Sequence, residues 1–543
     1  MEPQKYGPCI EMFPSMSIDK PTVEQSASPK QAQKEDLLRS SGVTGSMTLI
    51  SRVLGLVRDI VIARLFGTSD ATDAFFLANK IPNFMRRLFA EGAFSQAFVP
   101  VLSEYRSQKP LHAVQNLIGA TTASLGGFLL VITLLVVFAA PYIAIPIAYG
   151  FTDEPEKFAL FVQMLRITFP YLLLISLTAL CSAILNSYGR FAVPALTPAL
   201  LNISLISSSF LLAPYLRRPE LALAWAVLIA GFAQLLFQLP FLARLRLLPI
   251  PRPNRDRQGV FRIKQLMLPA LFGTSVSQIN LLLDTVIASL LVTGSVSWLY
   301  YSDRLVELPL GTFGIAIAIV VLPSLSRHHA ESSLEAFSNT LDWALRLVVL
   351  IALPAAIGLI VLAEPLLITL FQNQNFPVQD IINSAGSLRA YAFGLLAFMG
   401  VKIFAPGFHA RQDTATPVRI GIIAMSANMV LNLLFYLSGW AHVGLALATS
   451  LAAYINAGGL LLILKHQGVF RLRPGWSRFL LQVSLANLVM TAFVFYGSGS
   501  WIVWQDWSVL EQAARLASLV VTGVFTYFAV LFATGMRWSQ FKR

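Results

Sequence analysis

The chain has 543 residues, of which 56% are hydrophobic and only 12% charged, and its formal net charge is +13. Soluble domains carry about 25% charged residues; this balance, with a mean hydropathy of +0.67, excludes a soluble domain and points to a polytopic helical membrane protein. Apolar runs of helical length, about 20 residues each, replace the short alternating segments of a β-barrel.

In chain order, residues 1–41 are polar and rich in Ser, Gln, Lys and Pro. They read as a disordered cytoplasmic tail, without the apolar core and small-residue cleavage site of a signal peptide. Spans are expected at 42–66, 72–103, 115–148, 158–187, 191–216, 220–247, 261–293, 298–325, 338–371, 384–411, 416–438, 441–465, 477–497 and 509–535. The fold class is thus an all-α polytopic membrane protein with about fourteen transmembrane helices.

Loop charge sets orientation. The loop after the sixth span carries Arg244, Arg246, Arg252, Arg255, Arg257, Arg262 and Lys264, and the loop after the twelfth carries Lys465, Arg471, Arg473 and Arg478. The alternate loops are poor in Lys and Arg, apart from Arg217 and Arg218. Both termini are therefore expected in the cytoplasm.

The two halves repeat in register. Pro100 and Pro323, Arg166 and Arg389, and Pro194 and Pro417 each lie 223 residues apart, and Asp59 and Asp284 lie 225 apart. This divides the chain into a tail (1–41), an N-lobe (42–247), a basic linker (248–260), a C-lobe (261–466) and an added pair of helices with a basic C-terminus (467–543). Six helices per unit make the lobes parallel repeats, an arrangement that places a substrate site at their interface.

Charge inside the spans carries the functional signal. In the first span Gly45, Thr48, Arg52, Gly55, Asp59 and Ala63 form one helical stripe, and Arg58 lies at its edge. The second span repeats Asp73, Lys80, Arg87, Glu91 and Ser95 at sevens and fours, with Pro82 as a kink, so that either Arg86 or Arg87 faces inward. The eighth places Asp303, Arg304 and Glu307 within one turn. A central arginine costs roughly 2.5–3.5 kcal/mol on insertion scales. Four would cost on the order of 10 kcal/mol, comparable to the stability of a whole domain. Such residues must face water, an acid or a bound anion. The bland alternative is internal ion pairing that holds helices together. Because arginine is in excess over its acids in the N-half, the expected cargo is anionic, a phosphate or diphosphate that the planar guanidinium grips bidentately.

Other chemistries lack their signals. No phosphate-binding glycine loop with its lysine and no nucleophile elbow occurs. The six histidines show no zinc spacing, and Cys9 and Cys181 make no disulfide framework. Nucleic-acid binding is disfavoured because most Lys and Arg lie at helix ends or inside helices. Asp284, with Asn428 and Asn432 one turn apart on the eleventh span, forms a candidate Na⁺ site whose alternative is an Asp–Asn packing cluster.

The stretches "SRVLGLVRD", "ATDAFF", "NKIPNFMRRLFAEGAFSQAFVPVLSEY" and "YYSDRLVELPLGTFGIAIA" resemble the MurJ (MviN) family of lipid II flippases, within the multidrug/oligosaccharidyl-lipid/polysaccharide exporter superfamily. The resemblance covers residues 42–535. It implies two lobes around a central cationic cavity and a groove formed with the last two helices. It also implies a transporter, not an enzyme, in the bacterial inner membrane, with lipid II and the bilayer as partners and the cell-wall synthesis machinery as a further candidate. No cofactor is implied as required, with Na⁺ and the membrane potential as candidate drivers. Carried over by motif, the functional charges fall on Arg52, Arg58, Asp73, Arg86, Arg87, Glu91 and Arg304, with Asp59, Asp303 and Glu307 as supporting charges. The 41-residue tail departs from the family's usual short start. A flippase for another polyprenyl-diphosphate-linked polysaccharide, a small-molecule antiporter of the same superfamily and a non-transporting scaffold are the competing readings. Arginine excess disfavours the antiporter, and matched charges in both lobes disfavour the scaffold.

Overall fold

The computed structural model describes residue 47 and residues 50–87 and 94–537, and within these the side chains of 269–281 and 315 are not considered. The expected tail (1–41) and Glu91 lie outside the described residues. Among the described residues there is no strand, only one isolated bridge between Asn373 and Phe376.

The first half comprises α1 (50–66), α2 (Asp70–Met85), α3 (Ser95–Gln108), α4 (Leu111–Phe138), α5 (Ala140–Ile147), α6 (Pro155–Thr168), α7 (Tyr171–Ser187), α8 (Ala192–Leu211) and α9 (Leu221–Arg244). The second comprises α10 (Arg257–Ser289), α11 (Ser295–Pro309), α12 (Ile315–Ala330), α13 (Leu334–Val361), α14 (Ala363–Phe371), α15 (Val378–Phe393), α16 (Leu395–His409), α17 (Ala415–Leu437) and α18 (Ala441–His466). Helices α19 (Trp476–Ser498) and α20 (Val509–Ala533) follow. Eleven helical segments among the described residues are long and apolar enough to cross a membrane. Of the other three expected spans, 42–66 and 72–103 are helical wherever the chain is described, as α1 and as α2 with α3, and 261–293 is helical as α10 up to Ser289. Side chains such as Leu135, Phe138, Leu236, Leu433 and Leu488 are exposed, as a lipid-facing surface requires.

One helix break and one hydrogen bond recur in both halves at the repeat spacing. The break between α4 and α5 falls at Ala139, and that between α13 and α14 at Leu362, again 223 residues apart. Across the first break Arg166 Nε donates to Val137 O at 3.2 Å; across the second Arg389 Nε donates to Ile360 O at 3.3 Å. Each arginine satisfies a carbonyl that the helix break would otherwise orphan. Within each lobe the last two helices pack together, α8 on α9 and α17 on α18.

The added pair belongs to the second lobe. Helices α19 and α20 pack on each other and against α13 and α14. Buried Asp342 anchors the start of α19, accepting from Trp476 Nε1 at 2.7 Å, Arg473 N at 3.2 Å and Arg346 Nε at 2.9 Å. Tyr527 of α20 donates to Leu350 O at 2.9 Å.

The lobes are joined at the end of the bundle that holds the α1–α2 turn. Arg64 donates to Thr369 O and Leu370 O, both at 3.1 Å, and Asn375 Nδ2 donates back to Arg64 O at 3.0 Å. Gly67, at φ +66, makes this fit possible. A Cβ there would stand 1.9 Å from Asn375 O, and a left-handed backbone favours glycine in any case.

Candidate functional site

Charged and polar side chains of α1 and α11 meet at the lobe interface. Arg58 binds Asp59 Oδ1 through Nε at 2.9 Å and through a terminal nitrogen at 2.6 Å. Its guanidinium also donates to Asn202 Oδ1 of α8 at 2.9 Å and to the Tyr300 hydroxyl of α11 at 3.1 Å. The Tyr300 hydroxyl donates to Asp59 Oδ1 at 2.9 Å. From the second lobe, Arg304 Nε lies 3.9 Å from Asp59 Oδ2, and its other arm pairs with Glu307. Two arginines from different lobes thus converge on one carboxylate, which is itself buried. A buried charge needs such partners; with Glu307 on Arg304, the two arginines and two carboxylates of this cluster balance, and the surplus cations are Arg52, Arg86 and Arg87 around it.

Arg52 lies one turn and a half before Arg58 and rests against the second lobe at Gly311. This glycine sits in a π-helical turn, Leu310–Gly314, that follows Pro309. A Cβ on Gly311 would stand 2.0 Å from an Arg52 terminal nitrogen and 2.5 Å from its Cζ. The guanidinium therefore lies flat against backbone that only glycine leaves open.

The remaining charges form distinct groups. Arg86 and Arg87 follow α2 in π geometry, after the Pro82-containing helix ends at Met85. Arg86 Nε contacts Asn83 Oδ1 at 3.4 Å, while Arg87 and Asp303 are exposed. Arg304 remains one-third accessible. Charged side chains accessible in mid-span line water-filled space, since lipid cannot solvate them. Lys80 donates to Thr285 Oγ1 at 2.8 Å, bridging α2 to α10.

Asp73 stands apart from the arginines with which its sequence spacing grouped it. It is buried at the start of α11 and accepts from Gly294 N at 2.7 Å, Ser297 N at 2.9 Å and Ser297 Oγ at 2.6 Å. It caps a helix N-terminus, where a carboxylate is favoured by the free amides and the macrodipole. Asp70, Thr293 and Lys157 join beside it, with Lys157 Nζ 2.7 Å from Asp70.

Asp284 and its amides come together as expected from the sequence. Asp284 Oδ1 accepts from Asn428 Nδ2 at 2.6 Å and Asn432 Nδ2 at 2.7 Å. The repeat relates Asp284 to Asp59; the amide near the first-lobe acid, Asn202, lies 226 residues before Asn428 and so about one helical turn out of the 223-residue register of their helices. Arg58 fills the gap between acid and amide in that lobe. Among the described residues no group of three or more His, Cys, Asp or Glu suits a metal ion.

Sequence reasoning missed Asn202, Tyr300 and Gly311. Only adjacency to a charged motif signalled Tyr300 and Gly311; Asn202 was a lone amide in an apolar run.

Two repeat-related helical lobes meeting at a charged seam define a membrane transporter fold. An inward-facing multidrug resistance MATE family transporter of the MOP superfamily superposes with a TM-score of 0.64 over 79% of this chain and 98% of its own, at 14% identity, a likeness of fold alone. A structure described as lipid II flippase MurJ in an inward closed conformation superposes with a TM-score of 0.76, at 27% identity, over 90% of this chain and 97% of that one. The profile of the lipid II flippase MurJ family matches residues 62–518. The probable lipid II flippase MurJ of Vibrio cholerae is 46% identical over 93% of this chain and 98% of its own length. That of Haemophilus influenzae is 47% identical over 90% and 98%, and the lipid II flippase MurJ of Burkholderia cenocepacia 39% over 94% and 99%. The chain belongs to the lipid II flippase MurJ family.

Proposed function

We propose that this chain is a transporter, not an enzyme, which flips lipid II from the inner to the outer leaflet of the bacterial inner membrane by alternating access. The observation that carries the reading is the convergence of Arg58 and Arg304 from opposite lobes on one anionic group. A diphosphate offers more acceptor oxygens than Asp59 and suits two planar forks at once. Arg52, together with Arg86 or Arg87, assists from the same water-filled space. The site then discharges its cargo when the lobes separate at the Arg64–Asn375 end and close at the other, because the two arginines belong to different bodies.

The orientation follows from the basic loops, with both termini in the cytoplasm and the Arg64–Asn375 contact on the outer side. The α19–α20 pair borders a groove for the polyprenyl tail. Asp284, Asn428 and Asn432 supply a Na⁺ site once both amides, which now donate to Asp284, turn their oxygens inward. One acid and two amides make a weak cage, and rates in Na⁺ and in K⁺ buffers separate a Na⁺ site from a packing cluster.

The experiment is rescue of a bacterium depleted of its own lipid II flippase. The unaltered chain supports growth, and Arg58→Ala with Arg304→Ala, at equal membrane levels, does not. Full growth of the double variant contradicts the reading.

A further inference from the structure

Tyr300 and Tyr301 are adjacent on α11 and do different work. Tyr301 is fully buried among Phe76, Phe371 and Phe376, and its hydroxyl has no hydrogen-bond partner among the described residues. It is a packing residue. Tyr300 is only half-buried, and every part of it is engaged with charge or with the opposite lobe. Its ring stacks on Phe76 of the first lobe, centroids 3.8 Å apart and planes within 18°. The Arg304 guanidinium lies over the same ring, 5.0 Å from its centroid. Its hydroxyl donates to Asp59 at 2.9 Å and accepts from Arg58 at 3.1 Å.

A phenol has one proton and two lone pairs. Here the proton goes to the acid and a lone pair to the arginine, so the hydroxyl fixes where both stand. The ring face holds Arg304 by cation–π attraction. One side chain of the second lobe therefore sets the distance between an arginine of each lobe. Asp59 reaches both arginines from the first lobe, and Tyr300 reaches both from the second.

We propose that Tyr300 is a positioning residue for the anion site, holding Arg58 with its hydroxyl and Arg304 with its ring so that both guanidinium groups address one diphosphate. This rests on the diphosphate reading of the site. The residue acts through the arginines and through the geometry of the closed lobes.

The test is binding of a fluorescent short-chain lipid II analogue to the purified full chain, with the melting temperature measured on each variant. Tyr300→Phe removes the hydroxyl and keeps the ring, and it weakens Kd about tenfold, the effect of one hydrogen bond to charged groups. Tyr300→Leu removes the ring as well and weakens Kd further. Tyr301→Phe leaves Kd within about twofold, because its hydroxyl holds nothing. A Kd for Tyr300→Phe equal to that of the unaltered chain overturns the proposal, as does an equal loss from Tyr301→Phe. Arg58→Ala with Arg304→Ala abolishes binding if the site reading holds. Unchanged binding by that double variant overturns the site reading, whatever Tyr300 does.

Discussion

Arg58 makes contacts that a lysine cannot reproduce. Its three nitrogens address Asp59, Asn202 and Tyr300 at once, in the rigid planar fork that a single ammonium lacks. Arg58→Lys is therefore predicted to lose transport although charge is conserved; growth rescue at matched protein level measures it, and rescue equal to that of the unaltered chain would show that charge alone suffices. The arginines were legible in the sequence because a charge inside an apolar span is expensive and so conspicuous. Tyr300 and Asn202 were not, because an uncharged polar residue on an interfacial helix is ordinary until its partners are known. Asp73 misled for a related reason. Its heptad spacing with Lys80 and Arg87 is real, but the helix carries it to the end of the bundle, where the first amides of α11 outbid any arginine.

At the scale of elements, the π turn after Pro309 shapes the site by letting α1 approach α11. Gly311→Ala would place a Cβ 2.0 Å from the Arg52 terminal nitrogen. The obstructed atom is the free end of a flexible side chain, so the predicted result is normal folding with a displaced Arg52. Melting temperature should hold while the flipping rate falls severalfold; an unchanged rate would remove Arg52's berth from the account. Asp73 gives the opposite pattern. Asp73→Ala strands the amides of Gly294 and Ser297 that it now satisfies, at a cost of about 2–3 kcal/mol for charge-assisted bonds. A melting temperature unchanged in purified protein would contradict the capping role. Helix placement was legible to within a few residues, since apolar length decides it. The breaks at Ala139 and Leu362 were not, because each interrupts a run that stays apolar on both sides.

At the scale of the whole molecule the two halves share one plan and differ at Arg58 and at the added α19–α20 pair. The repeat was legible from four residue pairs, and the arginine-to-carbonyl bonds at Arg166 and Arg389 show what two of those residues do. Among the described residues the added α19–α20 pair is anchored to the second lobe through Asp342 and Tyr527, so it is predicted to move with that lobe. Deleting residues 477–543 is predicted to impair long-chain lipid transport more than transport of a short-chain analogue; equal loss in stably inserted protein would make the pair a structural cap. A diphosphate carries about −2, and moving one charge through 100 mV is worth about 2.3 kcal/mol. On the proposed reading, an inside-negative potential would favour outward transfer by roughly 4–5 kcal/mol and would draw a net-cationic empty site back inward. A K⁺/valinomycin potential, without Na⁺ or pH gradients, should bias the headgroup distribution according to its sign; indifference to that sign would exclude this coupling.

The most direct measurement is lipid II headgroup accessibility across reconstituted vesicles. Vesicles holding the unaltered chain should expose headgroups faster than protein-free vesicles, and those holding Arg58→Ala with Arg304→Ala should match protein-free vesicles. Equal rates for the variant and the unaltered chain would contradict an anion site shared between the lobes.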